Sequence, residues 1–150
     1  MYKILVVDDE SIEREGISFL IEKYKFPLEV AQATNGKTAL EYMRTHPIDI
    51  LLTDVKMPQM DGLELARHTF EKYPDVRILV FSAYGEFEFA KKAMAAQAVS
   101  YLLKPIEVDE FQRVMTQIIA QCDELSEKKK DEQQRDEEVR QQLLFRLVTG

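Results

Sequence analysis

Cysteine is almost missing from this sequence. Cys122 is the single thiol, so no internal disulfide can form and the chain suits a reducing compartment. Glycine is scarce too: the residues at 16, 36, 62, 85 and 150 make neither GxGxxG nor a phosphate-binding P-loop, which argues against a nucleotide-binding fold. No apolar stretch approaches membrane-spanning length, so no membrane partner is expected. The first apolar run, residues 4–7, is far too short for a signal-peptide core and meets acids at once, which makes the cytoplasm the plain expectation. Positive charge is in deficit, with 20 Lys and Arg against 27 Asp and Glu and a net charge of -7. Such a chain has no evident means of holding nucleic acid by itself, and calls for cations or basic partners.

What is present is enough for one ordinary domain with a core and an appendage: 150 residues, 45% hydrophobic and 31% charged. Residues 4–7, 28–33, 48–53, 76–81 and 99–103 are short apolar runs that read as strands covered on both faces. Between and after them, residues 11–24, 37–45, 62–72, 86–97 and 108–122 carry apolar side chains at helical spacing. Pro27, Asn35-Gly36 and Pro74-Asp75 punctuate the boundaries. Strand-helix alternation repeated five times predicts an α/β chain, a parallel sheet wound on both sides by helices through right-handed crossovers. In open sheets of this kind the functional crevice lies beyond the carboxyl ends of the strands.

Polar residues stand at those ends. Asp8 and Asp9 close the first strand, Asp54 the third, Ser82 the fourth and Lys104 the fifth. Carboxylates forced together raise one another's proton affinity unless a cation sits among them. Magnesium binds through one or two carboxylates plus phosphate oxygens, which fits Asp8, Asp9, Asp54 and a backbone carbonyl of the Val55-Lys56 turn. Asp54, at the end of a buried strand, is placed to act as a carboxylate nucleophile towards phosphorus. Lys104 offers a mobile positive charge and Ser82 a hydroxyl donor for phosphoryl oxygens. Lys104-Pro105 is a candidate cis peptide, because only an X-Pro bond adopts cis at tolerable cost. Each piece has a plainer reading: acids favouring a helix N-terminus, an Asp in a Pro-containing turn, a loop hydroxyl, a core tyrosine at 101. Those readings would all have to hold at once at four strand ends of one sheet.

Val7-Asp8-Asp9-Glu10, Asp54-Val55-Lys56-Met57-Pro58 with Asp61-Gly62, Phe81-Ser82-Ala83 and Tyr101-Leu102-Leu103-Lys104-Pro105, in this order, resemble the receiver domain of two-component response regulators. The resemblance covers residues 1–122. It implies a three-layer flavodoxin-like (CheY-like) fold with strand order 2-1-3-4-5, and phosphorylation of Asp54 by a histidine kinase. It implies roles residue by residue: Asp8 and Asp9 as the acidic metal pair for Mg2+, Lys56 lending its carbonyl to the metal, Ser82 as switch hydroxyl, Tyr101 as switch aromatic and Lys104 as phosphate-sensing lysine. Residues 81–93 are similar to those of receivers joined to AraC-type DNA-binding modules. By that analogy DNA is reached only through an output domain outside this sequence.

Residues 127–138 are almost wholly charged or amide and cannot enter a core, so residues 123–150 read as a charged helical linker, a possible coiled coil. Val139, Leu143, Leu144, Leu147 and Val148 then return at helical spacing. A homodimer is expected through the face of the fourth helix, fifth strand and fifth helix, through the C-terminal helix, or both. Two other functions compete. A Mg-dependent phosphohydrolase of the haloacid dehalogenase type needs a second acid two residues after its nucleophile, where this chain has Lys56. A stand-alone signalling receiver acting by protein contact would need no DNA-binding module.

Overall fold

The computed structural model describes residues 1–93, 95 and 99–149, without the side chains of Tyr84 and Thr149. Strands β1 (Tyr2–Val7), β2 (Leu28–Ala33), β3 (Ile50–Asp54), β4 (Arg77–Ala83) and β5 (Val99–Lys104) alternate with helices. These are α1 (Ser11–Lys23), α2 (Gly36–Thr45), α3 (Gly62–Lys72), α4 (Tyr84–Ala93) and α5 (Val108–Thr149). The strands pair in parallel in the order β2-β1-β3-β4-β5. The expected three-layer flavodoxin-like fold is therefore the one adopted.

Strand alternation sorts the core into two layers. Ile4, Val6, Ile50, Leu52, Leu79 and Phe81 face α1 and α5, where they meet Ile17, Ile21, Phe111, Val114, Met115 and Ile118. Leu5, Val7 and Leu51 face the other way onto Ala39, Met43 and Leu65 of α2 and α3, and Ile78 and Val80 onto Leu63, Ala66 and Ala90. Both faces of β3 are buried along its whole length, which explains its unbroken apolar run. Caps fix two helix starts: Asn35 Oδ1 accepts from the Thr38 N–H, and Asp61 Oδ1 from the Glu64 N–H.

Two boundaries differ from the periodicity reading. The fourth helix begins at Tyr84, and residues 94, 96 and 97 of its expected C-terminal end lie outside the described residues. The fifth helix runs to Thr149 rather than ending near Cys122. Residues 106–149 contain neither Gly nor Pro and are rich in Glu, Lys, Gln and Arg, which all favour helix, so nothing local stops it. Burial stops where the core stops: Cys122 is the last buried residue, and everything from Glu127 to Val148 is exposed.

Candidate functional site

Register brings the polar strand ends to one edge. Val7 pairs with Thr53, so Asp8 and Asp54 follow the last paired residues of β1 and β3, on either side of the point where strand order reverses. Asp54 aligns with Phe81, and Ala83 with Lys104. A cavity of about 670 Å³ opens there, lined among others by Asp9, Glu13, Asp54, Lys56 and Lys104. The loop after β3 turns back so tightly that a Cβ on Gly62 would lie 1.8 Å from the Asp54 carbonyl oxygen, and Gly62 N–H donates to the Val55 carbonyl at 2.8 Å. Only glycine allows that approach.

Asp8 is fully buried and Asp54 is 7% exposed. The Glu10 N–H donates to Asp8 Oδ1 at 2.8 Å, while Asp8 Oδ2 has no hydrogen-bond partner. Arg14 locks the same turn, donating from Nη1 to the Asp8 carbonyl and from Nε to Gln32. Lys104 Nζ reaches three of the acids at once, lying 2.6 Å from Glu13 Oε2, 3.2 Å from Asp54 Oδ2 and 3.8 Å from Asp8 Oδ2. The same ammonium sits 4.5 Å from the centroid of the Phe81 ring, a cation-π contact from below.

Burial, reinforced by the neighbouring Glu13 and Asp54, pushes the Asp8 carboxyl up to about 8. Burial also raises Asp54, with Lys104 pulling the other way. Glu13 is held low by its neighbours, first the Asp8 carboxyl and then the Lys104 ammonium. Lys104 keeps its proton more tightly than usual because Glu13, Asp54 and Asp8 together outweigh its burial. The pocket thus carries more acid than base. One carboxylate oxygen each from Asp8, Glu13 and Asp54 lies within 4.8 Å of the others, a hard all-oxygen donor set. That set, together with the bare buried Asp8 Oδ2, fits a divalent cation.

The sequence expectation and the geometry differ in one member. Asp9 is exposed and lines the cavity, but it lies outside the tight carboxylate cluster, and Glu13 takes the third place. Glu13 stands in the first turn of α1, which the sequence shows only as one acid among several. Lys56 is exposed on the cavity wall. Ser82 is 1% exposed, at the β4 end beside Asp54's register partner. Tyr101 is half-buried, its ring edge-on to Phe87 at 6.1 Å, away from the acids on the α4 side. The Lys104-Pro105 peptide is cis, as the sequence suggested. Among the described residues no helix is long and apolar enough to cross a membrane.

Comparison with known proteins gives the same picture. Residues 4–116 match the response regulator receiver domain family. The transcriptional regulatory protein YesN of Bacillus subtilis is 41% identical over 122 residues, covering 81% of this chain and 33% of YesN. The receiver domain of AraT, a response regulator from Geobacillus stearothermophilus, superposes with a TM-score of 0.74 at 37% identity, covering 85% of this chain and 98% of that one. A two-component AraC transcriptional regulator from Clostridium phytofermentans gives a TM-score of 0.73 at 35% identity, over 81% of this chain and 95% of that one. The chain spans about a third of the length of YesN. Fold, ordered motifs and relatives agree, and the chain belongs to the response regulator receiver domains of two-component signalling.

Proposed function

We propose that this receiver is phosphorylated on Asp54 by a histidine kinase and that the modification controls a DNA-binding output domain. The observation that carries the reading is the pocket itself: a nearly buried Asp54 carboxylate, 3.2 Å from the Lys104 ammonium, beside a buried acid with a bare oxygen.

In the transfer, an Asp54 oxygen attacks phosphorus in line and forms the O–P bond of an acyl phosphate. The P–N bond of the donor phosphohistidine breaks, its electron pair staying on the imidazole nitrogen, which takes a proton from solvent. Asp8, Asp54 and Glu13, with Asp9 and the Lys56 carbonyl at the cavity wall, would hold Mg2+. When bound, the ion offsets negative charge on the phosphoryl oxygens. Lys104 binds those oxygens from the β5 end and Ser82 donates its hydroxyl from β4, which draws the end of β4 towards Asp54. Tyr101 then turns inward into the space vacated, changing the face of α4, β5 and α5.

That face, together with α5, passes the change to a second copy of the chain or to the output domain. Residues 123–150 serve as the helical linker after the receiver domain of residues 1–122. The name of YesN, a transcriptional regulatory protein, and its greater length support transcription control as the output. The kinase partner, the DNA output and a cytoplasmic setting all belong to this reading.

Incubation with acetyl phosphate and magnesium tests it. Wild-type protein gains the mass of one phosphoryl group and Asp54→Asn gains none. Equal uptake by the variant would place the acceptor elsewhere.

A further inference from the structure

We propose that Glu13 is a positioning residue for Lys104: it holds the lysine in the unphosphorylated protein and competes with a phosphoryl group for it. This deepens the reading of Asp54 as phosphoacceptor and rests on it.

The shortest contact of the Lys104 ammonium is with Glu13 Oε2, at 2.6 Å, and not with Asp54, at 3.2 Å. Glu13 donates nothing to the pocket, since an ionised carboxylate is an acceptor only. Its helix is anchored to the same turn by the Arg14 bonds to the Asp8 carbonyl and Gln32, which sets the base of the Glu13 side chain beside Lys104. A phosphoryl group on Asp54 adds about -1.5 to -2 charges and three acceptor oxygens within this cluster. Lys104 has three N–H donors; one is given to Glu13, while Asp54 at 3.2 Å and Asp8 at 3.8 Å hold the same ammonium as ion-pair neighbours. Turning to the phosphoryl oxygens means loosening Glu13, which is left as a like charge beside the new group.

Glu13 therefore sets a threshold. It keeps Lys104 poised over the pocket and opposes premature closure on weakly bound anions. Glu13→Gln keeps the length and helix preference of the side chain and removes the charge that makes the contact strong. The pair is partly exposed, with side chains 21% and 30% accessible, so the effect is modest.

The test is calorimetric titration of the full chain with beryllofluoride, a phosphoryl mimic, at a magnesium concentration saturating each protein by its own separately titrated magnesium affinity, because Glu13 is also one of the acids placed to hold the ion. Glu13→Gln is expected to bind the mimic about three- to tenfold tighter than wild type. The Lys104 ammonium signal, read by NMR without the mimic, is expected to shift and to exchange its protons faster in Glu13→Gln. A purely structural role for Glu13 would leave that signal in place. Equal or weaker mimic binding by Glu13→Gln, or an unmoved Lys104 signal, overturns the proposal while Asp54 stands. Mimic binding by Asp54→Asn equal to wild type overturns the phosphoacceptor reading itself, and Glu13's role with it.

Discussion

Asp8 shows how one buried atom can direct a site. Its Oδ1 is satisfied by the Glu10 N–H, and its Oδ2 faces other carboxylates with Lys104 no nearer than 3.8 Å. The folded protein holds the Asp8 proton up to about 8, whereas the unfolded chain releases it in the ordinary carboxylate range. The folded state therefore binds the extra proton between those values, and this group's contribution to stability falls as pH rises through that window. In divalent-free buffer Asp8→Asn is expected to stabilise the protein by about 1–2 kcal/mol near pH 8, and by much less near pH 4. Thermal melts at both pH values check this, and a gain independent of pH would contradict it. Added magnesium is expected to raise the melting temperature of wild type more than that of Asp8→Asn, since an ion held by the folded carboxylate cluster would stabilise that state alone. Asp54, Asp8, Ser82 and Lys104 were legible in the sequence because each terminates an apolar run, a position that topology sends to one edge. Glu13 was not. Among Glu13, Glu15 and Glu22 nothing local marks the acid that faces the pocket, because the rotation of α1 about its axis is set by which of its apolar residues the sheet buries. Ile17 and Ile21 are buried while Ile12 is 77% and Phe19 61% exposed, a choice the periodicity alone left open.

At the scale of elements, two glycines make opposite predictions. Gly62 opens α3 directly against the Asp54 carbonyl, and a methyl group there must displace backbone. Gly62→Ala is expected to cost about 1–3 kcal/mol and to disturb the loop that aims Asp54. Gly16 lies inside α1 with nothing within 4 Å of an added Cβ. Gly16→Ala should stabilise by about 0.5–1 kcal/mol, since alanine loses less backbone entropy in a helix. Chemical denaturation of both variants decides the matter, and a stabilising Gly62→Ala would mean the tight turn is not required. The strands were readable to within a few residues because four carry unbroken apolar runs and β2 interleaves apolar residues with the exposed Glu29 and Gln32, all bounded by turn or charged residues. The end of α5 was not, because hydrophobic periodicity reports burial, and this helix outlasts its own buried face.

On the scale of the whole molecule, the tail continues α5 beyond its buried face, and residues 127–148 are exposed. Past the last buried residue of α5, the Tyr2 hydroxyl donates to Asp123 Oδ1, and further out Lys129 pairs with Asp75 at 3.0 Å with both side chains more than half exposed. Such a pair contributes at most about 1 kcal/mol. Removing residues 127–150 is thus expected to change the unfolding free energy of the sheet domain by no more than about 1 kcal/mol, by the same reasoning. Self-association should respond instead: Val139, Leu143, Leu144, Leu147 and Val148 are all more than half exposed, an apolar face suited to a second copy or to an output domain. Light scattering of the truncated and full chains separates these effects, and a large loss of domain stability would show that the tail packs on the body. The loss of burial along α5 was legible in the composition change after residue 126, because a run of charged and amide side chains cannot enter a core. Phosphorylation of Asp54 is the chemistry of a single carboxylate, and reductive trapping reads it directly. After incubation with acetyl phosphate and magnesium, borohydride converts an aspartyl phosphate to homoserine, which peptide mass spectrometry locates. The structure predicts homoserine at position 54 and nowhere else, and a phosphorylated protein whose Asp54 remains unmodified would contradict it.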